Sequence, residues 1–146
     1  MKNILIPIDG SVYSDKAVEK GREIGEAFDS NVVLLNIMPP FTANATYGYA
    51  VLPLDMIKEE YEISRKNSEA VLASAKKSFA AMGTKVSTVS LHGDTADAII
   101  DYIKSNSFDL VVMGSHGLGA ILNRLLTGSV TTKVLHHIQI PILIVK

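Results

Sequence analysis

The sequence predicts an α/β protein: one doubly wound sheet of five parallel strands, in the order 3-2-1-4-5, with helices on both faces. Apolar, strand-like runs alternate with helical patterns along the whole chain, which is typical of successive β-α-β units. Three of the five runs are continuously apolar, as expected for strands that helices cover on both sides. Right-handed crossovers then leave few possible topologies.

Five segments are predicted to be strands, and turn residues or prolines end the first two. Asp9-Gly10-Ser11 is a typical turn sequence, and Pro39-Pro40 stops the second strand. The stretch Pro39–Pro53 that follows has no clear period and is a candidate flap over a ligand. The third strand alternates apolar and polar residues, so we expect it to be half exposed. The predicted strands are Asn3–Ile8, Asn31–Ile37, Lys85–Leu91, Asp109–Met113 and Pro141–Val145.

Four helices are predicted to connect the strands. The second spans Leu54–Met82, where Gly83 would end it as a C′ glycine. Asp94 or Thr95 can cap the third helix, and Ser129–Ile138 forms the fourth. Periodicity places three sets of residues on inward faces: Ala17, Gly21, Ile24, Gly25 and Phe28; Ile57, Tyr61, Ser64, Ser68, Val71, Leu72, Ala75, Phe79 and Met82; and Ala96, Ile99, Ile100 and Ile103.

Composition agrees with a single domain over residues 1–146 and argues against several classes of function. Of the 146 residues, 47% are apolar and 20% are charged, which is ordinary for a globular domain. The net charge of −1, without clustered basic residues, argues against nucleic acid or an anionic membrane as partner. The absence of cysteine excludes disulfides and thiolate metal sites. Because no signal peptide or membrane-spanning stretch is visible, we expect a cytoplasmic protein.

Two glycine-rich segments, Met113–Gly117 and Gly128–Thr131, lie between the fourth and fifth predicted strands. Glycine lets the backbone approach an anion closely, and the start of a helix offers N–H groups and a positive dipole end. Each segment alone has a simpler interpretation, as a tight turn or as an ordinary helix start. The occurrence of both in one connection is more specific, and it predicts a phosphate site.

Asp9 is predicted to lie on the opposite side of the same site. In a doubly wound sheet, ligands bind beyond the carboxyl ends of the strands, where the winding direction reverses. If the first strand lies beside the fourth, Asp9 and Gly114 meet at that crevice. A carboxylate there can accept hydrogen bonds from ribose hydroxyls or an adenine amine, with Pro7 and Ile8 as an apolar wall. The alternative is that Asp9 only stabilises a turn.

The sequence contains no clear catalytic or metal-binding set. His116 has no Ser or Cys nucleophile in a recognisable elbow to pair with, so a hydrogen-bonding role is favoured. His136 and His137 are adjacent in a helix, point in different directions and are predicted to be structural. The Walker pattern is missing because no Gly-Lys-Ser/Thr occurs, and a dinucleotide pattern from Gly117 would need glycine at Leu122.

Together these features resemble the ATP-binding branch of the universal stress protein family, over essentially the whole chain. That family's phosphate motif is Gly, two residues, Gly, nine residues, then Gly followed by Ser or Thr. Ten residues separate Gly117 from Gly128 here, one more than the motif, and Gly119 is the place where we expect the loop to absorb the extra residue. The segments that carry the resemblance are Ile6–Ser11, Val33–Ile37, Gly93-Asp94, Met113–Gly117, Gly128–Val130 and Pro141–Val145.

The resemblance implies an ATP-binding, nucleotide-dependent regulator in the stress response, with at most slow ATP hydrolysis. AMP or ADP are alternative ligands, and Mg²⁺ could accompany a triphosphate. It also implies a homodimer through Pro141–Val145, which the apolar sequence of this strand supports independently. The alternative function is a dimeric interaction module of the same fold that binds no nucleotide. The nucleotide-binding residues implied are Pro7, Ile8, Asp9, Ile37, Met113, Gly114, Ser115, His116, Gly117, Gly128, Ser129, Val130 and Thr131.

Overall fold

A computed structural model describes residues 1–41, 52–118 and 127–146 of the chain. Most of the candidate flap and Gly119 therefore lie outside the described residues. Strands and helices alternate as the sequence predicts. The elements are β1 (Asn3–Pro7), α1 (Val12–Phe28), β2 (Asn31–Met38), α2 (Leu54–Lys77), a 3₁₀ segment (Ala80–Lys85), β3 (Val86–His92), α3 (Thr95–Ser105), β4 (Leu110–Gly114), α4 (Ser129–His137) and β5 (Ile142–Val145).

The five strands form one parallel sheet in the order β3-β2-β1-β4-β5, which confirms the predicted topology. Every strand end lies within one residue of its predicted position. The central strand β1 pairs with β2 on one side, where Pro7 is opposite Leu35, and with β4 on the other, where Leu5 is opposite Val111. The winding direction therefore reverses between the carboxyl ends of β1 and β4.

Helices cover both faces of the sheet, and this is why the central strands are continuously apolar. Alternate residues of a strand point to opposite faces. Ile4 and Ile6 of β1 belong to the core beneath α1 and α2, whereas Leu5 belongs to the core beneath α3 and α4. The edge strand β3 is only partly covered, and Ser87 and Thr88 are exposed, as its alternating sequence predicts.

The predicted inward face of α1 is correct except at its last position. Ala17, Gly21 and Gly25 are buried, and a Cβ atom at Gly21 would collide with the side chain of Ile6. Phe28, however, is 58% exposed, so its assignment to this face was wrong. The helix ends at Phe28, because the next residue adopts a left-handed conformation with φ of 52°, and the chain turns there into β2.

The helix α2 is shorter than predicted and does not end at a C′ glycine. Its first predicted inward residues, Ile57 and Tyr61, are 42% and 47% exposed, so their assignment to the inward face was wrong. The helix stops at Lys77, and Gly83 has φ 57° and ψ −125° inside the 3₁₀ segment, which is not the left-handed helical geometry of such a cap. Phe79 is buried and Met82 packs on the same core. Because residues three apart align in a 3₁₀ helix, these two side chains continue the apolar period after α2 has ended.

Candidate functional site

A cleft of about 780 Å³ opens beyond the carboxyl ends of β1, β2 and β4. The end of β1 and the end of β2 contribute its apolar floor, and the glycine-rich loop after β4 lies beside the start of α4. The position is the point where the winding reverses, as predicted. Twelve of the thirteen predicted residues line the cleft: Pro7, Ile8, Asp9, Ile37, Met113, Gly114, His116, Gly117, Gly128, Ser129, Val130 and Thr131.

Ser115 is the predicted residue that does not line the cleft. It is 1% exposed, and its backbone joins two other segments. Its N–H donates to the carbonyl of Val145 at 2.7 Å, and its carbonyl accepts from the N–H of Gly128 at 2.6 Å. The Ser115 hydroxyl lies 3.0 Å from Nδ1 of His116. Ser115 therefore holds the glycine-rich loop against β5 and the start of α4.

Asp9 connects the end of β1 to the loop after β4. Its Oδ1 accepts from the N–H of Ser11 at 2.9 Å, and its Oδ2 accepts from the N–H of Leu118 at 3.0 Å. A carboxylate has about four acceptor sites, so capacity remains for a ligand hydroxyl or amine. Asp9 thus shapes the cleft and also presents an acceptor to it.

At each of the three glycines of the predicted motif, a side chain would meet a different part of the structure. A Cβ atom on Gly117 would lie 2.7 Å from Oδ2 of Asp9, and one on Gly128 would lie 3.3 Å from the Cα of His116. At Gly114 it would lie 2.7 to 2.8 Å from backbone and Cβ atoms of Tyr13. Gly114 is therefore needed for the packing of α1 on β4, whereas Gly117 and Gly128 allow two cleft-lining loops to come together.

The two ends of the motif's gap lie side by side. A Cβ atom on Gly128 would be 3.8 Å from the backbone nitrogen of Gly117. Gly119, where we expect the loop to absorb its extra residue, lies outside the described residues.

The start of α4 presents backbone donors to the cleft. Gly128 is the N-cap and makes no side-chain capping bond, and the first N–H groups of a helix have no partner within it. These groups belong to Ser129, Val130 and Thr131, at the positive end of the helix dipole. The Thr131 hydroxyl donates to the carbonyl of Gly114 at 2.9 Å, which fixes α4 against β4. This arrangement suits an anion such as a phosphate.

Few charged side chains face the cleft. Among the described lining residues, only Asp9 and His116 are ionisable. The His116 ring packs against that of Tyr13, with a centroid distance of 5.1 Å and an angle of 46° between the ring planes. Among the described residues of the lining, the backbone N–H groups at the start of α4 are therefore the main donors for an anion at this end of the cleft.

Sequence reasoning missed one wall of the cleft. Ser64, Asn67, Ser68 and Val71 of α2 line it, and Thr95 and Ile99 of α3 face it. Ser68 is 3% exposed, and its hydroxyl lies 2.7 Å from that of Ser90 at the end of β3. The signal was present in the sequence, because Ser64 and Ser68 occupy inward positions where a helix that covers only apolar core would carry apolar residues.

The described residues include neither a candidate metal centre nor a helix that could span a membrane. Over 1–41, 52–118 and 127–146, no group of three His, Cys, Asp or Glu is placed to hold a metal ion. No helix in those ranges is long and apolar enough to cross a membrane. His136 and His137 are exposed at the end of α4, and Nδ1 of His137 lies 2.7 Å from the carbonyl of Lys133.

Comparisons with known proteins agree with the fold and cover the whole chain. The model of the universal stress protein family matches residues 1–146. A universal stress protein of Methanocaldococcus jannaschii is 32% identical over 147 residues, which cover 99% of this chain and 82% of that protein. The structure of UspA from Lactobacillus plantarum has a TM-score of 0.85 at 22% identity, over 99% and 97% of the two chains. A universal stress protein in complex with cAMP has a TM-score of 0.71 at 26% identity, with 99% and 97% covered. The chain therefore belongs to the universal stress protein family.

Proposed function

We propose that the chain binds an adenine mononucleotide in this cleft and acts as a cytoplasmic, nucleotide-dependent regulator in the stress response. ATP is the leading ligand, and AMP and ADP are the alternatives. One observation carries the proposal: Asp9, Gly117 and the start of α4 converge on one cleft beyond the point where the sheet reverses. The start of α4 offers donors for phosphates, Asp9 offers an acceptor for hydroxyls or an amine, and Gly117 leaves room for the Asp9 carboxylate.

The donors and acceptors of the cleft suggest an orientation for the nucleotide. Its phosphates would meet the N–H groups at the start of α4, where the helix dipole favours negative charge. The ribose hydroxyls would donate to the Asp9 carboxylate, which lies between the loop after β1 and the loop after β4. The base would then lie over the apolar surface of Ile8 and Ile37, which also line the cleft.

The related structure that contains cAMP supports an adenine nucleotide as the class of ligand. The described lining offers the backbone dipoles at the start of α4 to balance the charge of a triphosphate, and Mg²⁺ is the cation that would accompany it. Asp9 is the one carboxylate in the described lining. Because we identify no general base among the described lining residues, we expect ATP hydrolysis to be slow at most.

Absorbance of the purified protein gives a first test. The chain contains no Trp and five Tyr, so co-purified adenine would raise the ratio of absorbance at 260 nm to that at 280 nm conspicuously. The second test is calorimetry with ATP, ADP and AMP on nucleotide-free protein and on Gly117→Val. We expect the variant to lose binding, because its side chain would displace the Asp9 carboxylate. Ala27→Val, on the exposed surface of α1, is the control and should bind normally. The proposal fails if the wild-type chain binds none of the three nucleotides.

The second candidate function is a dimeric interaction module that binds no nucleotide. It is favoured by β5, an edge strand with one neighbour in the sheet and only partly buried apolar side chains. An unpaired apolar edge tends to pair with another strand, so we propose a homodimer through Pro141–Val145 under either function. The Gly117→Val variant distinguishes the two functions. The substitution should alter the activity of a nucleotide-dependent regulator and leave the activity of a pure interaction module unchanged.

A further inference from the structure

A second groove, of about 760 Å³, lies between α1 and α2. Both helices connect parallel strands, so they run side by side in the same direction. Side chains normally fill the space between neighbouring helices to close packing. Here α2 presents small side chains to the groove at Ala70, Ser74 and Ser78, and the space stays open. Its volume is in the range of small-molecule sites, roughly 300–1,000 Å³.

The floor of this groove is apolar. Ile8 and Val18 are buried in the core beneath α1 and α2, and Val71 and Ala75 pack on that core from α2. All four side chains line the groove. Apolar parts of a ligand that lie on this floor would be removed from water, which favours binding.

The α1 wall carries opposite charges at its two ends. Asp15 lies at one end and Arg22 at the other, with Glu19 between them. In the part of the chain that the structure describes, neither carboxylate has an ion-pair partner. Arg22 is half-buried and bonds to Glu26 through Nη1, at 3.0 and 2.9 Å. Its Nε and Nη2 groups have no acceptor among the described residues, so they can donate to a ligand.

The α2 wall offers two hydroxyls in a row. Ser74 and Ser78 are four residues apart on one helix face, which separates them by about 6 Å along the axis. A hydroxyl can both donate and accept, and neither of these two is engaged within the described ranges. Peptide groups on one side of an extended chain recur at about 6.4–6.8 Å, close to the same spacing.

We propose that this groove binds a short apolar peptide of about three residues by both of its ends. The N-terminal ammonium pairs with Asp15, and the C-terminal carboxylate accepts from the free N–H groups of Arg22. The seven-residue step between these two side chains spans about 10.5 Å of helix, and three extended residues span about 10 Å. The hydroxyls of the α2 wall meet the peptide groups, and the apolar side chains lie on the floor. This site goes beyond the proposed nucleotide function and does not depend on it.

Calorimetry at low ionic strength tests the proposal with three forms of the tripeptide Leu-Ala-Leu. One form has both termini free, one is acetylated at the N-terminus, and one is amidated at the C-terminus. The wild-type chain should bind the free form about fivefold more tightly than either capped form, as expected for ion pairs at a partly exposed site. Arg22→Gln should bind the free and amidated forms equally and keep its preference over the acetylated form. Asp15→Asn should show the converse pattern.

The matched control is Lys20→Gln, which removes a cation of α1 that pairs with Glu23 and does not line the groove. It should keep both wild-type preferences, and circular dichroism of each variant establishes that it is folded. Gly117→Val should lose ATP and still bind the tripeptide, because Gly117 lines the other cavity.

Three results would overturn the peptide site. They are a wild-type chain that does not bind the free tripeptide, equal binding of all three forms, and loss of the tripeptide together with ATP in folded Gly117→Val, which would place the peptide in the nucleotide cleft. A wild-type chain that binds the tripeptide as expected but no adenine nucleotide contradicts the proposed nucleotide function alone, so the two failures are distinguishable.

Discussion

At the scale of single residues, Asp9 fastens two loops that are 109 positions apart in the chain. The change Asp9→Asn replaces one carboxylate oxygen by an amide donor, so one of the two backbone N–H groups it holds would face another donor. Hydrogen bonds to charged groups contribute about 1.5–3 kcal/mol. We expect the free energy of unfolding to fall by about 1–2 kcal/mol, measured by urea denaturation, and nucleotide affinity to fall with it.

The control for Asp9→Asn is Asp101→Asn, which changes the same group at an exposed position of α3. It should leave stability within about 0.5 kcal/mol of the wild type. Equal stability of the two variants would show that Asp9 does not hold the loops together.

We expect substitutions at Gly114 and Gly128 to act differently on stability and on nucleotide binding, although both glycines belong to the motif. At Gly114 an added Cβ atom would meet the backbone of Tyr13 at 2.7 Å, whereas at Gly128 the nearest atom is at 3.3 Å. Gly114→Ala should therefore lower the free energy of unfolding by about 1–3 kcal/mol, by forcing α1 away from β4. Gly128→Ala should be milder in stability and more harmful to nucleotide binding. Denaturation and calorimetry on both variants measure the two effects, and the reverse order would refute this division of roles.

At the scale of elements, Asp109 joins the starts of β1 and β4. Its Oδ2 accepts from the N–H of Asn3 at 2.9 Å and of Lys2 at 2.7 Å. The bonds from Asn3 and Lys2 lower the pKa of the Asp109 carboxyl in the folded protein. A carboxyl whose pKa is lower in the folded state stabilises the fold above its unfolded pKa of about 3.9, and this contribution is lost as pH falls through the folded value.

Asp109→Asn should consequently reduce stability at pH 7 and have progressively less effect below about pH 4. Urea midpoints of wild type and variant, measured between about pH 7 and pH 2.5, test this expectation. If the difference between the two proteins does not shrink at low pH, the carboxylate form of Asp109 is not what stabilises the strand starts.

The edge strand β5 carries the prediction about assembly. Ile144 is half-buried and pairs with Met113 in the register of the sheet. Ile144→Lys places a charge on this edge, and charged residues discourage pairing between edge strands. We expect analytical ultracentrifugation to show a dimer for the wild type and a shift towards monomer for the variant. Thr88→Lys places the same charge at an exposed position of the opposite edge strand, β3, and should leave the assembly unchanged. A wild-type monomer would contradict the proposed dimer.

At the scale of the whole molecule, the topology was predictable because its signals are local and repeat along the chain. Continuous apolar runs, prolines and turn residues locate each strand to within one residue, and alternation with helices then restricts the strand order. The meeting of Asp9 with the loop after β4 follows from that order. Neither the exposure of Phe28 nor the end of α2 was predictable. The exposure of Phe28 depends on where the chain turns from α1 into β2, and the end of α2 depends on the packing of Phe79 beside the 3₁₀ segment.

The candidate site was predictable to the same extent and for the same reason. Residues at strand ends and at the start of α4 follow from topology. In the α2 wall, the inward positions of Ser64 and Ser68 are a signal in the sequence, whereas the position of Asn67 depends on how that helix is rotated over the sheet. The burial of Ser115 likewise reflects contacts with Val145 and Gly128, which no local pattern reveals.

A crystal structure of the chain grown with ATP will show whether this cleft holds the nucleotide. We predict phosphate oxygens about 2.7–3.2 Å from backbone nitrogens at the start of α4, with a ribose hydroxyl at the same distance from the Asp9 carboxylate. The base should lie over Ile8 and Ile37. An empty cleft at saturating ATP, or a nucleotide bound elsewhere on the molecule, would show that this cleft is not the nucleotide site.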